Sequence, residues 1–355
     1  MKIDEAAFLR LVRGESRGPL ASAARLGLGG VAGFYRLGVS ARNLAFDFGW
    51  KPSLRAGVPV VAVGNLTLGG TGKTPMVEWI ARWYRARGLR VAILSRGYGD
   101  SSGLNDEGRV LEENLPDVPH LQGPDRVALA RVAVDELESE ALVLDDGFQH
   151  RRLARDLDVV LLDALDPFGL GRIFPRGLLR EPIGSLRRAG VVVLSRADLV
   201  DQATRRAIVG RAERQAGPLR WALARHAPLD LVDASGKTTP LASATGPKVV
   251  AFCGLGNPEG FRRTLLGLGV DLVGFRAFPD HHPYRAGDVA DLAGWARGLG
   301  AGLALTTQKD SVKLRADGLG PIPLRALRIG LEVMDDSGTL EAALAATLAP
   351  GKEAP

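Results

Sequence analysis

The run Val60-Val-Ala-Val-Gly64-Asn-Leu-Thr-Leu-Gly69-Gly70-Thr71-Gly72-Lys73-Thr74-Pro75 constrains this chain more than any other stretch. It reads as a buried strand, a glycine loop and a helix start, in that order. Glycines let successive backbone amides turn inward around an anion, and the helix that follows offers its positive N-terminal end. Lys73 can reach the terminal phosphates of a nucleotide, and the Thr74 hydroxyl can ligate magnesium. The strict form of such a loop also has glycine where Thr67 stands, so the match is to a variant Gly-Gly-Thr-Gly-Lys-Thr core.

A second signal follows downstream. Ala141-Leu-Val-Leu-Asp145-Asp146 is an apolar strand ending in paired carboxylates, and one or two carboxylates suffice for a magnesium ion that keeps water and phosphate oxygens as its other ligands. By itself this pattern also describes a solvated turn. Asp163, at the end of another apolar run, is a rival that ranks below Asp145 because its flanks carry no comparable polar cluster.

Around these motifs, strand-like and helix-like segments alternate as in a parallel sheet with crossover helices. Strands are predicted at 58–63, 91–95, 141–144, 159–163 and 191–195, and helices at 74–87 and 125–138, the latter capped by Asp125. A second alternating set has strands near 249–253, 272–275 and 303–307 and helices near 259–268 and 288–297. The fold class expected is therefore α/β: a P-loop NTPase-like parallel-sheet lobe and a second, smaller α/β lobe. The domains are drawn at 1–57, 58–222 and 223–345 with a tail at 346–355, and the lobes join near 216–245, where 238–240 and 244–247 mark loops.

The 355 residues include 46% hydrophobic and 24% charged residues, enough to bury a core without disulfides or metal staples. Cys253 is the single cysteine, so no internal disulfide can form, which favours the cytoplasm. No secretory leader and no spanning helix are predicted. The net charge of +6 is concentrated at the start, where residues 1–57 carry nine Lys and Arg against four Asp and Glu, a local +5. Residues 18–48 place Leu20, Ala24, Leu28, Val31, Phe34 and Tyr35 at helical spacing, although glycines at 27, 29, 30 and 33 each weaken a helix by up to about 1 kcal/mol. This amphipathic segment either packs on the body of the protein or lies on an anionic membrane surface. No aromatic stacking platform accompanies the basic residues, so no nucleic-acid partner is expected, nor an obligate protein partner.

Several short motifs in fixed order resemble the tetraacyldisaccharide 4'-kinase family of the lipid A pathway. They are Val63-Gly64-Asn65 with the glycine loop, Ser95-Arg-Gly-Tyr-Gly99, Leu144-Asp-Asp-Gly-Phe-Gln149-His150-Arg-Arg, Pro175-Arg-Gly-Leu-Leu-Arg180-Glu181-Pro, Gly254-Leu-Gly-Asn-Pro258, Phe278-Pro-Asp-His281 and Thr307-Gln-Lys-Asp310-Ser-Val-Lys313. The resemblance implies transfer of the ATP γ-phosphate to the 4'-hydroxyl of a tetraacylated glucosamine disaccharide 1-phosphate. It implies ATP and Mg2+ as cofactors, and a peripheral position on the cytoplasmic face of the bacterial inner membrane. Carried over by position, ATP binding falls on Gly69, Gly70, Thr71, Gly72, Lys73 and Thr74, and the metal site on Thr74, Asp145, Asp146 and Gln149. Catalysis falls on Lys73, Asp106 and His281. Asn105-Asp106-Glu107-Gly108 departs from the family's Gly-Asp-Glu-Pro at both flanks, and Gln308 replaces a usual glutamate. The alternative from another class is a membrane-associated P-loop switch or partitioning ATPase, whose variant loops often carry a lysine where this chain has Leu68.

If Asp106 takes the proton of the acceptor hydroxyl, Asp106→Ala should lower turnover by orders of magnitude and leave ATP affinity nearly intact. Steady-state kinetics beside an ATP titration tests this, and unchanged turnover would refute the role.

Overall fold

The alternating apolar runs become parallel strands with helical crossovers. The computed structural model describes residues 5–97, 106–280, 282–314, 316–334 and 337–349, with backbone alone at 5, 6, 106 and 107. Helices α1 (Glu5–Arg13) and α2 (Pro19–Asp47) precede strand β1 (Val60–Asn65). Then come α3 (Lys73–Arg85), β2 (Val91–Ser95), α4 (Asp106–Asn114), β3 (His120–Gln122), α5 (Arg126–Asp135), β4 (Ala141–Leu144), β5 (Leu157–Asp163), β6 (Val191–Ser195), α6 (Gln202–Ala216) and β7 (Trp221–Val232). The remainder is β8 (Thr238–Thr239), β9 (Lys248–Cys253), α7 (Pro258–Gly267), β10 (Asp271–Ala277), α8 (Ala286–Gly298), β11 (Leu303–Thr307), α9 (Gln308–Leu314), β12 (Gly318–Leu319), β13 (Ile322–Val333) and α10 (Thr339–Ala345). The chain divides into two compact units, one made of Met1–Arg96, Val118–Arg225 and Leu331–Pro355, the other of Gly97–Asp117 and His226–Gly330.

In the first unit the strand order is β7-β6-β5-β1-β4-β2-β3, and each neighbouring pair is parallel. β1 lies at the centre, with Val61 opposite Val143 on one side and Val63 opposite Val159 on the other. All six of its residues are buried. Near-continuous apolar sequence is what such a strand needs, because helices cover both faces of a parallel sheet. On one face Val60, Ala62, Leu142 and Leu144 pack against Ala130 and Ala133 of α5. Elsewhere Val160, Leu162, Val192 and Leu194 pack against Leu186, Ile208 and Ala212.

The second unit repeats the scheme with the order β10-β9-β11-β13, again parallel. Along β9 the side chains alternate between two cores: Val249, Ala251 and Cys253 join Phe261 and Leu265 of α7, whereas Val250 and Phe252 join Leu292 and Ala296 of α8. The α/β expectation therefore holds. The joining region contains all of β7, a 12-residue strand that was not marked and whose burial is irregular. Its sequence, Trp-Ala-Leu-Ala-Arg-His-Ala-Pro-Leu-Asp-Leu-Val, carries a proline and neither clean alternation nor a continuous apolar run, so no periodicity announces it.

α2 forms across the five glycines in its interior and extends roughly 43 Å at the usual helical rise. Only Ala32 and Asn43 of its residues are buried. Leu20, Leu26 and Phe34 are about four-fifths exposed, at 85%, 81% and 79%, so this apolar surface does not pack on the protein's own body. Support comes at its C-terminal end, where Asp47 pairs with Arg151 at 2.8 Å and Arg187 at 3.0 Å, and the Arg151 guanidinium donates to the Asn43 carbonyl. Among the described residues no helix is long and apolar enough to cross a membrane.

Gly64 allows a close approach beside the glycine loop, since a Cβ there would lie 2.5 Å from the Phe148 Cβ and 2.8 Å from its backbone nitrogen. Gly64→Ala should therefore cost about 1–3 kcal/mol through overpacking. A thermal melt should show a midpoint several degrees lower; a melt superimposable on the parent would mean the strand and the Phe148 turn can separate freely.

Candidate active site

The glycine loop occupies the end of β1, at the C-terminal edge of the parallel strands where open α/β sheets bind ligands. Its first residues are stitched to a hairpin formed by residues 172–180. The Arg180 amide donates to the Leu66 carbonyl at 2.7 Å, and the Leu68 amide to Leu178 at 2.8 Å. Thr67 lies between them in an antiparallel bridge with Leu179. That pairing places an ordinary L-residue at Thr67, and a β-branched side chain suits it. The left-handed conformations come later, at Gly69 (φ 115°) and Gly72 (φ 89°). Gly72 is also the N-cap of α3 and offers no capping side chain, which leaves the first-turn amides of Lys73 and Thr74 to an incoming anion. Pro75 fits because first-turn amides have no intrahelical partner.

Side chains at the ends of β1 and β6 fix the loop from below. Asn65 donates from Nδ2 to the Thr71 hydroxyl at 3.1 Å, and the Ser195 hydroxyl donates to the Thr71 carbonyl at 2.9 Å. Arg196, itself paired with Asp163, reaches the Gly70 carbonyl at 3.4 Å. Asp163, the weaker acidic candidate, is thus engaged by an arginine.

β4 delivers the carboxylates. Asp145 is buried, and its amide donates to the Leu94 carbonyl at 2.9 Å. Asp146 adopts a left-handed conformation (φ 51°) that aspartate tolerates. Its carboxylate lies 3.6 Å from Lys73 Nζ, and Arg180 donates from Nη1 to both of its oxygens at 2.8 Å. Burial pushes the Asp146 carboxyl up, but Lys73, Arg180 and Arg126 outweigh that effect and hold it below the ordinary range. The chain then turns through Gly147, whose amide donates to the Val63 carbonyl, and sends Phe148 into the core. Gln149 donates from Nε2 to the Asn65 carbonyl at 3.0 Å, and its own carbonyl accepts from Arg42 of α2. The Thr74 hydroxyl and the Asp145 carboxylate are hard oxygen donors and fit Mg2+. Among the described residues there is no cluster of three or more His, Cys, Asp or Glu.

The acidic turn lies among arginines. Arg126 is buried and comes within 3.2 Å of His150 Nδ1. Burial first, then Arg126, Arg155, Arg152 and Arg42, pushes the His150 pKa down to about 4, so the imidazole is neutral at pH 7. Glu181 is almost fully buried, accepting from Arg188 at 2.8 Å and Asn43 of α2 at 3.0 Å. Asn65 belongs to a motif already marked in the sequence; Ser195, Arg126 and Arg196 were not singled out there, where one polar residue at a strand end or helix start looks like many others.

In the second unit Asp106 is the first residue of α4, and its side chain lies outside the described residues, as does all of His281. The neighbouring His282 stacks on Phe278 at 4.7 Å and pairs with Asp288 at 3.2 Å. Asp310 is fully buried and accepts from the Gly254 amide at 3.0 Å and the Thr307 hydroxyl at 2.7 Å, joining two of the sequence motifs. Gln308 and Asn114, at the end of α4, exchange two amide hydrogen bonds of 2.9 and 3.3 Å. A glutamate at 308 could not donate its half of that exchange, which accounts for glutamine here.

Residues 24–349 match the family model described as tetraacyldisaccharide-1-P 4'-kinase. The tetraacyldisaccharide 4'-kinase of Anaeromyxobacter sp. (strain Fw109-5) is 43% identical over 339 residues, covering 90% of both chains. That of Geobacter sulfurreducens is 38% identical over 361 residues, covering 94% of this chain and 97% of the relative. A solved structure, the "apo" form of LpxK from Aquifex aeolicus in complex with ATP, matches with a TM-score of 0.72 at 28% identity, covering 92% of this chain and 100% of that one. With a glycine loop and an acidic turn converging at one sheet edge, the chain belongs to the tetraacyldisaccharide-1-P 4'-kinase family.

Proposed function

We propose that this protein transfers the γ-phosphate of ATP to the 4'-hydroxyl of a tetraacylated glucosamine disaccharide 1-phosphate, with the nucleotide seated on Gly69–Thr74. The single observation that carries the reading is the convergence of Lys73, Asp146 and Arg180 beside that loop, in a chain of this family. The amides of Gly69, Gly70, Thr71 and Gly72 line the phosphates, and α3 directs its positive end at them. Lys73 moves its charge from Asp146 to the γ-phosphate as the anion arrives. Thr74 and Asp145 would hold Mg2+, with Asp146 and Gln149 bordering it; bound there, the ion would neutralise charge on the β- and γ-phosphates.

Asp106 and His281 are assigned by family position. Asp106 accepts the proton of the 4'-hydroxyl as that oxygen bonds to phosphorus and the bond to the bridging oxygen of ADP breaks. His281 orients the carboxylate.

The exposed apolar face of α2, together with Phe48 and Trp50 stacked at 5.5 Å and both exposed, supports seating on an anionic membrane surface, the cytoplasmic face of the inner membrane. The basic leader adds attraction to the same surface. The domain division at 57/58 and 222/223 assigns that seating to the first segment, the nucleotide to the second, and His281 to the third. The switch ATPase alternative is not favoured, because the family match extends through both units rather than the glycine-loop unit alone.

The test measures transfer of labelled γ-phosphate with and without the purified disaccharide 1-phosphate. Labelled lipid should form, and Lys73→Ala should lower the rate by on the order of 10²–10³-fold, as when one charge-stabilising donor is removed. Hydrolysis that ignores the acceptor, with no lipid product, would overturn the reading.

A further inference from the structure

The elbow between α1 and α2 gathers Arg25 and Arg176, and the hairpin that carries Arg176 also carries Arg172; the chemistry above uses none of the three. Arg25 of α2 donates from Nη1 to the carbonyls of Ser16 at 2.8 Å and Leu11 at 3.5 Å, and from Nη2 to the Ser22 hydroxyl at 3.1 Å. Arg176 donates from Nη1 to the Val12 carbonyl at 3.0 Å, which brings it to the same elbow. Arg172 stands across the hairpin from Gly177, whose added Cβ would meet the Arg172 carbonyl oxygen at 2.3 Å. Burial, then the charges of Arg172 and Arg25, lowers the Arg176 pKa. Phe174 packs on Phe8 and on Tyr35, both at 6.2 Å, and so holds the hairpin against the elbow.

Among the described residues no carboxylate pairs with Arg25, Arg172 or Arg176. Neutral carbonyls position the Arg25 and Arg176 guanidinium groups without cancelling their charge. Such a group is complementary to an anion with several acceptor oxygens, and guanidinium forks match phosphate especially well. The hairpin also connects this cluster to the active site. Arg180, four residues beyond Arg176, holds Asp146, and four residues span at most about 14 Å. One hairpin therefore presents arginines at the acidic turn and at its far end, as would suit an acceptor with its reacting hydroxyl at one end and a phosphate at the other.

We propose that Arg25, Arg172 and Arg176 form a binding site for a lipid-borne phosphate, supplied either by the 1-phosphate of the disaccharide acceptor or by the headgroups of the bilayer. The acceptor arm rests on the function proposed above; the bilayer arm does not.

The variants are Arg172→Gln, at an exposed side chain whose loss leaves the core intact, and the double variant Arg25→Gln/Arg176→Gln, with Arg176→Lys as a charge-retaining control. Each is assayed in detergent micelles on acceptor with and without its 1-phosphate, and by sedimentation with anionic and zwitterionic phospholipid vesicles. For the acceptor's phosphate, KM for the 1-phosphorylated acceptor should rise on the order of tenfold, while KM for ATP and for the dephosphorylated acceptor stay put. For the headgroups, binding to anionic vesicles should fall with acceptor discrimination unchanged. Parent-like discrimination and parent-like vesicle binding in both glutamine variants would overturn the site. Failure of the parent to phosphorylate any disaccharide would sink the kinase reading alone, and the vesicle measurement would still decide the arginine cluster.

Discussion

The site hangs from one strand. β1 is hydrogen-bonded along both edges and covered on both faces, so its C-terminal end is a fixed point from which the glycine loop departs. Asn65, the last residue of that strand, holds Thr71 with its side chain and accepts from Gln149 with its carbonyl, so loop and acidic turn refer to the same peptide. Gly64, one residue earlier, lets Phe148 approach to within contact distance of the backbone. A side chain there would separate the two halves of the site before it altered any charged residue.

Charge is arranged around that fixed point with cations in excess. Asp146 is shared by Lys73 and Arg180, and burial first, then Arg126, Arg155 and Arg152, keeps His150 neutral. A surplus of fixed positive charge is unfavourable in an isolated protein and favourable once a polyphosphate enters. The buried Glu181 serves differently, since it ties Arg188 and the α2 residue Asn43 together in the interior. α2 is therefore anchored at its C-terminal end by polar contacts while its apolar length stays exposed, the reverse of a helix that folds by burying its own stripe.

Much of this was legible in the sequence. β2, β4, β6 and β11 lie where apolar runs bounded by glycine and charge predict them, and Asp125 caps α5 by accepting from the Val127 and Ala128 amides. The amphipathic spacing of residues 18–48 marked a helix, but spacing does not say which surface faces protein. β7 and β13 went unmarked because their side chains follow irregular surroundings rather than one water-facing and one core-facing side.

By itself, then, the sequence determined the local elements: glycine, proline and apolar periodicity act over a few residues, and the order strand, glycine loop, helix needs no partner to be recognised. Tertiary structure alone decided the pairings between distant residues. Thr71 with Ser195, Asp146 with Arg180, and Gln308 with Asn114 join chain positions whose proximity depends on strand order and crossover packing, and no local signal encodes either. The physical reason is that a polar side chain at a strand end has the same intrinsic preferences whether it meets solvent or a partner over a hundred residues away. Burial of the sheet on both faces selects the partner.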